Sequence, residues 1–171
     1  MKNLKSPTLP SPSGHLGFHR NQITHPLDGF GLLVPAVEKR NILGCLFPST
    51  CFPQRSPDHH VLLTVFMGGM RQPELVPLSD QESLRLALHD LHQLLGVQGA
   101  PVWQRRILWP AAIPQYTLDF GSHHEALRTF EHEHPGWFFA GNIRDGISAP
   151  DCVASAQRVA QALSQYQSNR N

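Results

Sequence analysis

The sequence contains few cysteines, few charged residues and no long apolar run. Three cysteines among 171 residues form an odd number without CxxC spacing. This argues against a secreted disulfide framework and favours a reducing cytoplasm. Lys and Arg number 14 against 13 Asp and Glu, so the net charge is +1, which argues against a nucleic-acid partner or a polybasic membrane anchor. No stretch reaches the ~18 apolar residues of a membrane span, and the N-terminus lacks the apolar run of a signal peptide.

The motifs of several familiar sites are absent as well. The sequence has no GxGxxG after a strand and no GxxxxGKS/T, which mark dinucleotide and P-loop sites. His89 and His92 share one face of a predicted helix and could reach one metal ion. Neither a cysteine nor an acidic residue completes a zinc-ligand spacing, and HExxH is absent. We therefore expect no metal, with a small histidine-rich metal-binding module as the alternative.

Apolar periodicity predicts an α/β fold that is α+β in part. Predicted strands cover 16–18, 31–34, 42–47, 61–67, 102–109 and 137–140. Residues 1–14 are rich in Ser, Pro and Lys and have no periodic pattern. They cannot bury much apolar surface, so we expect a disordered leader over this range.

Two capping boxes predict helices. Ser79 and Glu82 have the required spacing and stand ahead of an apolar stripe that ends at Gly96. Ser122 and Glu125 have the same spacing and predict a second helix near 123–133.

The strongest site candidate is a strand, a glycine loop and a helix within residues 137–163. This last helix begins near Pro150 and carries on one side Val153, Ala156, Ala160 and Leu163. A helix N-terminus offers unpaired N–H groups and the positive end of a dipole, which suit an anion or a polarised carbonyl oxygen. Gly146, Ser148 and Ala149 are small enough for a flat ligand to approach the backbone. The alternative is an ordinary strand-to-helix turn with Asp151 as the N-cap.

Other positions have competing interpretations. Cys152 lies in the first turn of the last helix, but no base is implied nearby, so we expect a buried small residue. Residues 137–139 (WFF) are expected in the core. Trp109 ends a predicted strand before a proline and either packs in the core or faces a cleft. Tyr116 either packs or hydrogen-bonds near the site.

Four motifs follow one another along nearly the whole chain. They are HPLDGFGLLVP (25–35), LLTVFMGGMRQPEL (62–75), WPAAIPQY (109–116) and FFAGNIRDGISAPDC (138–152). In this order, over residues 16–163, they resemble the C-terminal third of the oxygen-dependent type of protoporphyrinogen oxidase. That family lies within the flavin monoamine oxidase superfamily.

The resemblance implies a division into two parts. Residues 15–120 match the end of a substrate-binding domain built on a mixed sheet. Residues 121–171 match the C-terminal strand-loop-helix segment of a Rossmann-like FAD-binding domain. The cofactor-binding residues that we expect are Trp109, Gly146, Ile147, Ser148 and Ala149.

The implied reaction belongs to haem biosynthesis and removes hydrogens from a porphyrinogen. FAD accepts hydride and molecular oxygen accepts the electrons; the cofactor does the chemistry, so we expect no catalytic side chain. The family's GxGxxG segment has no counterpart in this chain, which makes a separate N-terminal Rossmann segment or chain the expected partner. The alternatives are a non-catalytic truncated remnant, a split subunit, or another flavin amine oxidase. The expected location is the cytoplasm, with peripheral membrane attachment as the alternative.

Overall fold

The computed structural model describes residues 10–169, which divide into two compact units between Ala112 and Ile113. The sheet unit contains the strands β1 Ser11–His19, β2 Gly31–Leu33, β3 Ile42–Leu46, β4 His60–Met67 and β5 Trp103–Trp109. It also contains helices α1, Pro48–Cys51, and α2, Asp80–Leu95, and the 3₁₀ turns Arg20–Gln22, Ala36–Glu38, Pro53–Arg55 and Pro73–Leu75. The helical unit contains α3, Phe120–Glu133, and α4, Ala149–Ser168.

The five strands form one sheet in the order β2–β3–β4–β1–β5, and every neighbouring pair is antiparallel. The resemblance implies that these strands are the end of a mixed-sheet domain, and the strands that this chain contributes are all antiparallel to their neighbours. Alternate residues face opposite sides of the sheet. On one side, Leu16 and Leu63 are register partners and share an apolar core with Leu91 of α2.

We call the opposite side of the sheet the second face. Its residues on the three neighbouring strands β4, β1 and β5 are Leu62, Thr64, Phe66, Ser11, Ser13, His15, Gly17, Trp103, Arg105, Ile107 and Trp109. A Cβ placed on Gly17 would lie 3.4 Å from the Cβ of Trp103. The tryptophan side chain therefore stands on this face, over the glycine.

The start of β1 corrects the predicted leader. Residues 11–14 belong to the strand, and Ser13 pairs with Phe66 of β4 and with Ile107 of β5. Composition cannot show that a Ser-rich and Pro-rich segment will be held by two neighbouring strands, because those strands lie far away in sequence. Residues 1–9 of the predicted leader lie outside the described residues. The division between the units also falls eight residues before the predicted boundary at 120/121.

Helix α2 begins and ends where the sequence predicts, but only one of the two bonds of its predicted capping box forms. Ser79 is the N-cap, and its Oγ accepts a hydrogen bond from the backbone N–H of Glu82 at 3.2 Å. The Glu82 carboxylate instead accepts two bonds from Arg85. Gly96 ends the helix with φ +64°, a left-handed conformation that favours glycine.

Helix α3 starts earlier than predicted. It begins at Phe120 with Asp119 as its N-cap, and Ser122 lies inside its first turn. The Ser122 hydroxyl donates to the backbone carbonyl of Asp119 at 2.7 Å. That local bond is the usual competitor of a capping bond, so the predicted capping box does not form.

The predicted strand at 137–140 is wrong in this structure. Within the described residues no neighbouring strand pairs with this segment, and side chains hold its backbone at Phe139. The N–H of Phe139 donates to the Glu131 carboxylate at 2.7 Å, and the carbonyl of Phe139 accepts from Arg144 at 3.0 Å. Trp137 is 62% exposed and Phe138 is half-buried, so this segment is not a closed core.

Helix α4 packs through a different face from the one its apolar residues predicted. The half-buried or buried positions are Cys152, Ala154, Ser155, Val159, Ala162 and Tyr166. Val153, Ala156, Ala160 and Leu163 are all exposed. No helix within residues 10–169 is long and apolar enough to cross a membrane.

Candidate functional site

The candidate site is the loop of residues 141–148 together with the first turn of α4. Ser148 is the N-cap, and its Oγ accepts the N–H of Asp151 at 3.1 Å. The Asp151 carboxylate accepts the N–H of Ser148 at 3.3 Å and its hydroxyl at 2.6 Å. This is a complete capping box. Asp151 is therefore the third helical residue and not the N-cap of the alternative reading.

Two backbone donors remain free at this helix start. Within the described residues, the N–H groups of Ile147 and Ala149 donate to no other group. Pro150 follows them and has no N–H, while Ile147, Ser148 and Ala149 are exposed. Free amides at the positive end of a helix dipole suit the carbonyl or anionic edge of a flat ring.

Gly146 allows the loop to lie close to the helix. Its φ is +131°, and a Cβ at this position would stand 2.6 Å from the Asp151 side chain. Any other residue would have to displace the capping box or change the backbone path. The glycine thus keeps the two free amides beside an uncluttered backbone surface.

Tyr116 holds the loop through its hydroxyl. Its hydroxyl donates to the carbonyl of Asn142 at 2.8 Å and accepts the N–H of Gly146 at 3.1 Å. Its ring stacks on Phe120 with centroids 3.8 Å apart. The two roles that the sequence left open, packing and hydrogen bonding, are both fulfilled.

A network of ion pairs and hydrogen bonds connects the same loop to α3 and α4. Arg144 forms an ion pair with Glu131 of α3, and Asp145 forms one with Arg158 of α4 at 3.0 Å. The fully buried hydroxyl of Ser155 donates to Asp145 at 2.5 Å. The charged side chains at 131, 144 and 145 are each less than one-fifth exposed. The loop is therefore tied to both helices of its unit.

Asp145 is stabilised as a carboxylate by this network. Burial acts to raise its pKa, but the hydrogen bond from Ser155 and the positive charges of Arg158 and Arg144 outweigh it and lower the pKa below 3.8. Asp145 therefore stays charged near neutral pH.

Trp109 lies in the sheet unit, at the end of β5. Its side chain is 53% exposed, so it is not a core residue.

Cys152 is half-buried and its thiol lies 3.9 Å from the carbonyl of Gly146. His92 bonds the carbonyl of Val97 at 3.1 Å, just beyond the end of α2. Over residues 10–169, no three His, Cys, Asp or Glu side chains come together as metal ligands.

Comparison with known proteins places the chain in a family. The model of the flavin containing amine oxidoreductases matches residues 4–164. This chain belongs to that family. Its members are flavin-dependent oxidoreductases, and the loop and helix start described above lie within the matched region.

The similar proteins carry the names of porphyrinogen oxidases. Protoporphyrinogen oxidase 2 of Arabidopsis thaliana is 39% identical over 152 residues, which cover 87% of this chain and 30% of the plant protein. Coproporphyrinogen III oxidase of Bacillus subtilis is 24% identical over 154 residues, which cover 90% of this chain and 32% of that protein. A crystal structure described as a protoporphyrinogen oxidase from Exiguobacterium has a TM-score of 0.74 at 25% identity. The match covers 91% of this chain and 34% of the chain in that crystal structure. The chain thus spans about a third of the length of these relatives.

The structure brings together four of the five expected cofactor-binding residues. Gly146, Ile147, Ser148 and Ala149 form one continuous stretch at the start of α4, whereas Trp109 belongs to the other unit. Their contact with a flavin stays a prediction.

The sequence interpretation missed the supporting network around this stretch. Arg144 and Asp145 stand inside a glycine loop, and that pair of opposite charges was a signal that the loop is tied by ions. The role of Ser155 had no such signal.

Proposed function

We propose that this chain is the C-terminal part of an FAD-dependent oxidase that acts on protoporphyrinogen or coproporphyrinogen. The match of residues 4–164 to the flavin family, together with relatives named for these two substrates, carries the proposal. Because the chain spans about a third of those relatives, the complete site also needs a dinucleotide-binding segment from the same or a separate chain.

The residues at the start of α4 fit a flavin. The free N–H groups of Ile147 and Ala149 are donors for a ring that gains negative charge on reduction. Gly146 has no side chain between that edge and the backbone, and a Cβ there would collide with Asp151. Bound FAD would be the acceptor of hydride from the porphyrinogen, and molecular oxygen would then reoxidise the reduced flavin.

This chain's own contribution is position and electrostatics. Tyr116 and the network around Asp145 hold the loop in place, which limits the reorganisation of the two donors when charge develops. The indole of Trp109 is exposed, which leaves it accessible for the flavin contact that the family resemblance implies. No side chain is assigned as a proton donor or acceptor in the reaction.

A flavin titration tests the proposal. The purified chain is titrated with FAD alone, and then with the remainder of the Arabidopsis relative supplied as a separate polypeptide. We expect weak binding alone, and tight binding with porphyrinogen oxidation when both polypeptides are present. Absence of FAD binding in both conditions would indicate that the chain is a non-catalytic remnant of such an oxidase. Oxidation of amines but not of porphyrinogens would identify another flavin amine oxidase.

The variant Ala149→Pro tests the contribution of one backbone N–H group to flavin binding. Proline suits the first helical position and removes one of the two free N–H groups, and Ser148 already has the extended conformation that precedes proline. We expect FAD affinity in the two-polypeptide system to fall about fivefold to tenfold, the effect of one lost hydrogen bond. Ala149→Gly is the matched control, because it keeps the N–H. Equal affinity in both variants would contradict the assigned role.

A further inference from the structure

The second face of the sheet combines positive charge with aromatic rings. None of the five strands contains Asp or Glu, whereas β5 contributes Arg105 to this face and Arg106 to the other. Trp103 and Trp109, on the same side of β5 as Arg105, are 51% and 53% exposed. A surface of this composition is complementary to a flat, apolar acid.

The two neighbouring arginines of β5 differ in their contacts. Arg106 donates to the carbonyl of Val76 at 2.8 Å and pairs with Asp80 at 3.1 Å. The Arg105 side chain is exposed and makes no hydrogen bond or ion pair within residues 10–169. Arg106 therefore has a structural role, while the charge of Arg105 is available to a ligand.

The strand register arranges the second face in rows. Thr64, His15 and Arg105 are successive partners across β4, β1 and β5 and form a polar row. Phe66, Ser13 and Ile107 form the next row, about 7 Å away along the strands. A carboxylate on the polar row would thus place an attached apolar ring over Phe66 and Ile107, in the direction of Trp109.

The polar row has one positive charge near neutral pH. His15 bonds the Thr64 hydroxyl at 3.1 Å through Nδ1. Burial and the neighbouring charge of Arg105 both lower the pKa of His15 below 6.5. His15 is therefore a neutral hydrogen-bonding group, and Arg105 is the cation of this row.

We propose that the exposed end of this row, at His15 and Arg105, is a subsite for a propionate carboxylate of the porphyrinogen, with Arg105 as the residue that binds it, while the buried Thr64 bonds His15. The inference rests on the proposed function, since it takes its ligand from the proposed substrates. Arg105 precedes Trp109 by four residues, about 13 Å along a strand. That distance suits a tetrapyrrole that reaches from its carboxylate at Arg105 to a reacting carbon near the proposed flavin end at Trp109.

Porphyrin binding to the full chain tests the subsite without flavin. Coproporphyrin III, which has four carboxylates, is compared with its tetramethyl ester, and binding is followed by tryptophan quenching and by the porphyrin absorption band. We expect Arg105→Gln to weaken binding of the free acid about tenfold, the effect of one charge-assisted hydrogen bond. The ester should bind equally to both proteins. Arg105→Lys should recover part of the loss, because it keeps the charge but not the planar guanidinium.

Arg85→Gln is the matched control. Arg85 is exposed on α2 and pairs with Glu82, so its loss should leave porphyrin binding unchanged. Three results would overturn the proposal: unchanged binding of the acid to Arg105→Gln, equal weakening of acid and ester, or no binding of either porphyrin to the unmodified chain.

Kinetics separate this proposal from the proposed function. In an active two-polypeptide oxidase, Arg105→Gln should raise KM for the porphyrinogen and leave kcat unchanged. An active oxidase that is indifferent to Arg105→Gln would refute the subsite alone. Arg105-dependent porphyrin binding by a chain that never supports oxidation would refute the oxidase and keep the subsite.

Discussion

Residues 10–112 contain one extended apolar core, whereas the described residues of the helical unit bury only Pro114, Leu127 and Ser155. The core of the sheet unit runs from Leu16 to Val97 and includes both sheet and α2 residues. The helical unit is held instead by ion pairs and hydrogen bonds around Arg144 and Asp145. Apolar burial is the larger stabilising term in folding, so the two units should differ in stability and in their response to pH.

The difference also separates two kinds of candidate site. The second face lies on a sheet with a closed core, so its side chains are carried by a rigid scaffold. The loop of residues 141–148 depends on a few polar contacts, among them the Tyr116 hydroxyl. Regions with few buried apolar contacts open locally at lower free energy. We therefore expect the loop to be the more mobile of the two sites.

The largest expected effect is in the core of the sheet unit. Leu63 is completely buried, and Leu63→Ala should lower the free energy of unfolding by about 3 kcal/mol through lost burial and a cavity. Leu33→Ala is the control, because Leu33 is 87% exposed and should change stability by less than about 0.5 kcal/mol. Urea denaturation followed by circular dichroism measures both. Similar losses in the two variants would break the distinction between core and surface.

The helical unit should lose stability in acid through Asp145. The pKa of Asp145 is lowered in the folded state, so its stabilising contribution is present above 3.8 and is lost as pH falls through the folded value. Asp145→Asn should lower stability at pH 7 by about 1–2 kcal/mol. The difference from the unmodified chain should shrink as the pH falls below about 4, as measured by thermal unfolding across pH. A difference that persists at pH 2 would contradict the electrostatic origin.

The smallest expected effect concerns the Tyr116 hydroxyl. Tyr116→Phe keeps the ring stacked on Phe120 but removes the bonds to Asn142 and Gly146. We expect a loss of about 1 kcal/mol and faster hydrogen exchange within 141–148. Tyr166→Phe is the control, because the Tyr166 hydroxyl bonds the carbonyl of Pro135 in a different loop. Unchanged exchange in Tyr116→Phe would show that the hydroxyl does not hold the loop.

Sequence signals were most informative where both partners lie within one or two turns. The cap at Ser79 and the stop at Gly96 bound α2 as predicted, since these signals act on backbone groups a few residues away. The second box, at Ser122, failed because a competing local bond to Asp119 was equally available.

The candidate site was only partly accessible to the same reasoning. The stretch from Gly146 to Ala149 stood out through its small residues and through the family resemblance. Tyr116 stands 30 residues before Gly146, and Glu131 stands 13 before Arg144. Pairs at such separations leave no periodic trace, so their contacts became visible only in the folded chain.

The order of residues along this chain was sufficient for several of its local elements and for its family. Strand β4 and helix α2 follow from periodicity and caps, and α4 starts at Ala149, one residue before the predicted start near Pro150. The folded chain was needed for the partners. Strand pairing drew residues 11–14 into the sheet, and the packed face of α4 runs through Ser155 rather than Val153. The physical reason is that local bonds depend on neighbours in sequence, whereas pairing and packing depend on which distant groups meet.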